Sequence, residues 1–399
     1  MNSFYDCIIV GGGSMGSATA YHLAKKGQKV LLLEQFDFIH DKGAHGGQTR
    51  LIRKAYFEHP DYVPLLLRAY QNWADLVSET QEKVYFETGI LYFGEQDDAL
   101  LNNIKNSAKL HDLNLETWNM PIAKQKYPQF EAIPDDWESL FEPEAGFLLV
   151  EKCVKLHLQQ ALKWGATLKA REKVMNWREN TEGVEVTTDK HKYHAKKLIF
   201  TAGAWTDKLL QDLNVPLIVT RQISGWVKPQ NWADFTLDKF VCWGINDKEK
   251  GLFYGMPILN NEDTSGPIGL KLGCHHHGHV VNPDDVDRNI YEEDERTFRQ
   301  GLEKYLPSAN GDILAIKTCL YTNTPDENFI IDHHPKHKNV ILACGFSGHG
   351  FKFASVVGEI LSDLAISGQT EQPIGFLSLK RFAGINYETT DWTDTTNFH

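Results

Sequence analysis

The chain opens on an apolar run, Cys7-Ile8-Ile9-Val10, that stops at Gly11-Gly12-Gly13-Ser14-Met15-Gly16. An apolar stretch with helical spacing follows and closes on Val30-Leu31-Leu32-Leu33-Glu34. Short apolar runs bounded by glycine read as buried strands, so the pattern predicts strand, turn, helix, strand. In a G-x-G-x-x-G turn, Gly11 permits the tight turn, Gly13 lets backbone approach a pyrophosphate, and Gly16 lets the helix pack closely on the sheet. Free N–H groups at the helix start, Ser14 and Met15, suit the phosphates. Glu34, at the end of the second strand, suits the ribose hydroxyls. The expectation is a bound dinucleotide.

Further along, the periodicity predicts a helix over 61–77, with Leu66, Ala69, Tyr70, Trp73 and Val77 on one face, a polar helix around 97–111 and another helix over 153–165. Hairpin-like strands follow at 184–188 and from Lys192. The run Lys197 to Trp205 is a buried strand ending at Gly203, at the mouth of a helix. Alternating apolar positions between 219 and 324 predict an antiparallel sheet. Val340 to Cys344 is a strand, Gly345 to Gly350 a glycine-rich loop, and Phe351 to Leu364 a helix with Glu359 outward. Dinucleotide-domain elements therefore occur at the start, near 200 and near 345. We expect a cofactor domain formed by 1–86, 150–220 and 325–385, interrupted by a substrate domain of 87–149 and 221–324, with 386–399 a polar tail.

Composition narrows the function classes. Lys+Arg 41 against Asp+Glu 53 gives a net charge of −12, which disfavours nucleic acid or an anionic membrane as partner. No run of about 18 apolar residues and no targeting signal is evident, so a cytoplasmic location is expected. The 6 cysteines are scattered without a C-x-x-C pair, which supports neither a disulfide framework nor zinc. His275-His276-His277 is no tridentate metal site, because neighbours on a strand point to opposite faces.

Three strand-to-glycine-to-helix junctions are more than an NAD domain needs. FAD fits, with one helix N-terminus for the pyrophosphate and another for the isoalloxazine ring. The segments Gly11–Gly16, Thr49-Arg50-Leu51-Ile52-Arg53, Tyr62-Val63-Pro64-Leu65, Leu270-Lys271-Leu272-Gly273, Phe329-Ile330-Ile331-Asp332 and Gly345 to Lys352 carry a closer resemblance. Nearly end to end, the chain resembles the sarcosine oxidase and N-methyl-L-tryptophan oxidase family of D-amino-acid-oxidase-like flavoproteins. The resemblance implies an α/β (α+β) fold: a Rossmann-like FAD domain interleaved with a substrate domain on a mixed, largely antiparallel sheet.

It also implies roles. Cys319 matches the cysteine that carries FAD covalently. Arg53 and Lys352 match the pair that clamps a substrate carboxylate, with Gly348 beside them. Lys271 matches the lysine that activates O2, and His275 the histidine on the substrate side. Arg50 matches the arginine on the opposite face of the flavin, and Tyr254 and Tyr321 match pocket residues, although a tyrosine in an apolar strand also suits a core. Thr49, Gly203, Gly350 and Phe351 complete the implied cofactor contacts. The family's paired loop histidine is broken here, since His45 is followed by Gly46, and 240–250 departs from the family and is expected to frame the substrate entrance. The implied reaction is oxidation of a secondary-amine amino acid such as sarcosine by a monomer, with O2 as acceptor, giving an imine that hydrolyses and H2O2. N-methyl-L-tryptophan or a cyclic amino acid such as pipecolate is the alternative substrate. A flavin dehydrogenase with a protein acceptor is the alternative of another class, against which Lys271 speaks.

Overall fold

The computed structural model describes residues 4–260, 262, 264, 266–275 and 278–385. The expected polar tail, 386–399, and His276 and His277 lie outside the described residues. Strand Phe4–Val10 runs parallel to Val30–Leu33 on one side and Lys192–Phe200 on the other, and the last of these also pairs in parallel with Val340–Cys344. The register brings Val10 opposite both Leu33 and Phe200, and Phe200 opposite Leu342. The carboxyl ends of four strands therefore reach one edge together. Gly11–Gly13, Glu34, Thr201–Gly203 and Gly345 emerge there side by side, at the place where open parallel sheets bind their ligands. Strands at Thr167–Lys169, Val174–Asn180, Gly183–Thr188 and Ile330–His333 complete eight.

Helix Ser14–Lys25 is buried along most of its length because it is covered by Val150–Lys163 and Ala354–Ser367. Its small residues allow this: a Cβ on Gly358 would come 2.6 Å from Ala18. Glu359 does not face outward as the sequence pattern suggested. Arg68 Nε and Nη2 donate to its carboxylate at 2.8 and 2.6 Å, and Asn72 adds a third bond, tying this helix to Tyr62–Thr80.

The second sheet has nine strands and one parallel pair, Ile90–Gly94 with Cys242–Asp247. Ile218–Val227 crosses the expected 220/221 boundary and lies wholly in this sheet, paired with Ile313–Asn323. The 219–324 region also contains a helix, Glu292–Tyr305, whose spacing the strand reading overlooked. Phe298, Leu302 and Tyr305 lie at i, i+4 and i+7 and are buried, and a Cβ on Gly225 would come 2.7 Å from Phe298.

Alternation assigns the two faces. Leu270, Leu272 and Cys274 join the core with Phe253, Ile245 and Phe298. Lys271, Gly273 and His275 take the opposite face. Cross-strand pairing adds Tyr254 opposite Gly273, Gly244 opposite Tyr254, and Tyr92 opposite Gly244. Among the described residues no helix is long and apolar enough to cross a membrane.

Candidate active site

Two cavities meet between the sheets. The larger, with about 1370 Å³ of empty space, runs along the carboxyl edge of the parallel sheet past Gly11, Gly13, Ser14, Met15, Glu34, Gly203, Gly345 and Gly350. The smaller, about 590 Å³, is lined by Arg53, Glu58, Tyr92, Leu252, Tyr254, His275 and Lys352. Arg50, Tyr321, Gly348 and Phe351 line both.

The larger cavity suits a dinucleotide. Gly11 has φ +102°, and a Cβ on Gly16 would lie 1.8 Å from Gly11 O, so only glycine closes this turn. Gly13, at the N-cap, offers no side-chain bond to the first-turn amides of its helix, and that turn holds no acid. These N–H groups and the helix dipole remain available to phosphate. Glu34 accepts from Gly12 N and Phe36 N, both at 2.8 Å. Burial raises its pKa, but His40 and these amides outweigh burial and hold the carboxyl below its usual range, ready to accept hydroxyl bonds. Buried His45 Nε2 and Thr49 Oγ1 have no partner among the described residues. His45 lines this cavity, and burial pushes its pKa down to about 3, so it is neutral there. An unsatisfied buried polar atom is costly unless a ligand meets it.

The inner cavity concentrates positive charge. Arg53 is 4% exposed, and its Nη2 donates to both oxygens of Glu58 at 3.1 and 2.9 Å. Its guanidinium also lies over Phe57, 4.1 Å from the ring centre. Burial opposes its charge, but Glu58 prevails and keeps it cationic. Burial likewise raises Glu58, but Arg53, His349 and Lys352 outweigh that and hold it ionised. Lys352 Nζ donates to His349 O at 2.8 Å and Tyr56 OH at 3.3 Å. Burial first, and then Arg53, push its pKa well below that of a free lysine, while Glu58 opposes them. With Arg50 there are three cationic side chains and one carboxylate around the cavity, an arrangement that a bound anion would complete.

Tyr321 OH lies 3.4 Å from His275 Nδ1. Burial raises the pKa of both Tyr254 and Tyr321, which also share a hydrogen bond, so both phenols stay protonated. A Cβ on Gly348 (φ +78°) would come 2.3 Å from the Tyr321 ring, so glycine there lets the ring lie against the loop. Arg50 is held by backbone, its Nη2 donating to Ala44 O and Gly46 O at 2.9 Å.

Of the residues expected from the sequence, Gly16, Thr49, Lys271 and Cys319 line neither cavity. Lys271 Nζ donates to Gly47 O and to Thr49 O at 2.6 Å, under the segment that carries Arg50. Burial, with Arg50 adding to it, lowers its pKa well below the ordinary value. Cys319 is buried beside Leu320 and Tyr321; burial raises its thiol, and Arg50, Lys271, Arg288 and Arg221 partly offset that. Residues 240–250 line neither cavity, contrary to the expected entrance role; Leu252 and Tyr254, just beyond, line the inner one. Sequence reasoning missed Glu58 and Tyr92. An acid inside the aromatic segment Tyr56-Phe57-Glu58, five residues after Arg53, was the available signal for the first.

The family model for FAD dependent oxidoreductases matches residues 6–364. Monomeric sarcosine oxidase of Bacillus sp. (strain NS-129) is 40% identical over 388 residues, covering 96% of this chain and 98% of its own. N-methyl-L-tryptophan oxidase of Salmonella dublin is 33% identical over 381 residues, covering 95% and 99%. Among solved structures, NikD, an unusual amino acid oxidase essential for nikkomycin biosynthesis, superposes with a TM-score of 0.82 at 24% identity, covering 94% of this chain and 97% of its own. That likeness bears on the fold alone.

Proposed function

We propose, from the premise that this chain belongs to the FAD dependent oxidoreductase family, that it oxidises an N-methyl amino acid such as sarcosine with O2 as acceptor. The observation that carries this reading is the pair of buried cations, Arg53 and Lys352, in a cavity continuous with the dinucleotide cleft. Bound FAD supplies two-electron oxidation of a C–N single bond to C=N.

The chain's own residues bind and orient. Arg53 offers a planar fork and Lys352 a point charge, and together they fix the substrate carboxylate. That leaves the amine end facing the junction at Arg50, Tyr321, Gly348 and Phe351. Fixing one end in this way makes the encounter effectively unimolecular, which is a large part of the rate. Tyr321 stands at the junction, and Tyr254 and His275 line the inner cavity beside it. A cation-rich cavity favours the neutral amine over the ammonium, so a strong base is not required. We assign the cofactor domain to 1–86, 150–217 and 325–385 and the substrate domain to 87–149 and 218–324, with Arg53 and Lys352 reaching the substrate from the cofactor segments. We read the protein as a cytoplasmic monomer, supported by six unbridged cysteines and by the relatives called monomeric.

An anaerobic visible spectrum of the purified protein tests the reading. Excess sarcosine is expected to bleach the flavin band. A band that only N-methyl-L-tryptophan bleaches would move the substrate to a bulkier amine, and no flavin band after reconstitution with FAD would end the proposal. We assign Cys319 as the covalent attachment point, supported by its place next to Leu320 and Tyr321, which line the cleft; burial raises its thiol, and nearby cations, Arg50 first, offset part of that rise. Acid-precipitated wild type is expected to retain yellow flavin in the pellet, and Cys319→Ser to release it to the supernatant. Retention in the variant would remove Cys319 from this role.

A further inference from the structure

We propose that Tyr92 donates a third hydrogen bond to the substrate carboxylate, beside Arg53 and Lys352, and so helps restrict the cavity to amino acids. The inference rests on the substrate reading above and concerns a residue that looks like core. Tyr92 sits in the middle of Ile90–Gly94, a strand buried at every position, and is itself 1% exposed. Its hydroxyl has no partner among the described residues. A buried hydroxyl without a partner loses its hydration with nothing in return, and native structures seldom tolerate that away from a ligand.

Three observations direct this hydroxyl to the carboxylate end of the cavity. First, Tyr92 lines the same inner cavity as Arg53 and Lys352. Secondly, register places it in one row with Gly244, Tyr254 and Gly273. Each tyrosine lies across a glycine: a Cβ on Gly244 would come 2.7 Å from the Tyr92 ring, and one on Gly273 would come 2.8 Å from Tyr254 OH. Tyr92 therefore stands on the site face of the sheet, as Tyr254 does. Thirdly, Arg53 Nε, a guanidinium donor that Glu58 does not engage, is also buried and has no partner among the described residues.

The nearby acids are already engaged. Glu142 accepts from Lys54 N and Ala55 N, one on each oxygen, and both oxygens of Glu58 accept from Arg53. An N–H and an O–H without acceptors, in a cavity with surplus positive charge, call for an anionic group with several lone pairs. A carboxylate meets that need. Burial keeps the phenol protonated and hence a donor.

Tyr92→Phe tests this on the holoenzyme, because the ring and its contact with Gly244 are retained. Two quantities are read: the KM for sarcosine and the dissociation constant of acetate, followed through perturbation of the flavin band. Acetate carries the carboxylate and the adjacent carbon but no amine to oxidise. Both are expected to rise roughly tenfold or more, with kcat within about twofold. Unchanged acetate affinity together with unchanged KM would overturn the proposal, as would a fall in kcat at constant KM. A wild type inert to sarcosine, whose acetate binding the substitution still weakens, would sink the substrate reading while supporting Tyr92 as a carboxylate donor.

Discussion

Arg53→Ala is expected to raise KM for the N-methyl amino acid by roughly a hundredfold or more, about 3 kcal/mol, while the flavin spectrum is kept. The size follows from burial. Arg53 is 4% exposed, so its bond to an incoming carboxylate forms without water to screen it. Lys352 cannot replace it. Its Nζ already donates to His349 O and Tyr56 OH, and an ammonium offers no planar fork. The substitution also strands Glu58, whose two oxygens lose their Arg53 partner in a buried place. Part of any loss could then reflect an unpaired carboxylate. Glu58→Gln added to Arg53→Ala removes that charge. If the double variant keeps the high KM while regaining thermal stability, the clamp is established. A KM near wild type in either variant would remove Arg53 from substrate binding.

Much of the fold was legible in the sequence because its signals are local. The run from Cys7 to Glu34 carries its own strand period, glycine spacing and terminal acid, and the structure places each of them at the carboxyl edge of the parallel sheet. Strand Leu270–His275 was equally readable, since its alternation separates Leu270, Leu272 and Cys274 from Lys271, Gly273 and His275. Helix Glu292–Tyr305 was missed because only three apolar residues, Phe298, Leu302 and Tyr305, mark its helical face in a strongly charged segment flanked by strand-like runs. Tyr92 was illegible for another reason. In Ile90-Leu91-Tyr92-Phe93 every side chain is apolar or aromatic, and although alternation separates Tyr92 from Phe93, only cross-strand register shows which of them faces the site. Glu359 was misplaced because its partner Arg68 is 291 residues away, beyond the reach of any periodicity argument.

Lys271→Met is expected to slow reoxidation of the reduced enzyme by O2 on the order of a hundredfold, and to leave anaerobic reduction by substrate within a few-fold. The separation follows from where Lys271 stands. It lines neither cavity and so touches neither end of the substrate; its Nζ is held by Gly47 O and Thr49 O beside Arg50. Burial and Arg50 depress its pKa, while Glu151 counteracts them across the same peptide segment. A negative charge in the adjoining cleft would raise its proton affinity and favour the ammonium, the form that could stabilise electron transfer to O2. Methionine fills similar volume and removes that response. The loop does not depend on Lys271 alone, because Glu151 accepts from Gly47 N and Gln48 N at 2.9 and 3.0 Å. Rapid-mixing measurement of the two half-reactions separates a specific effect from a general one. Equal slowing of both would mean that Lys271 holds Arg50 and its loop in place and has no particular part in oxygen reduction.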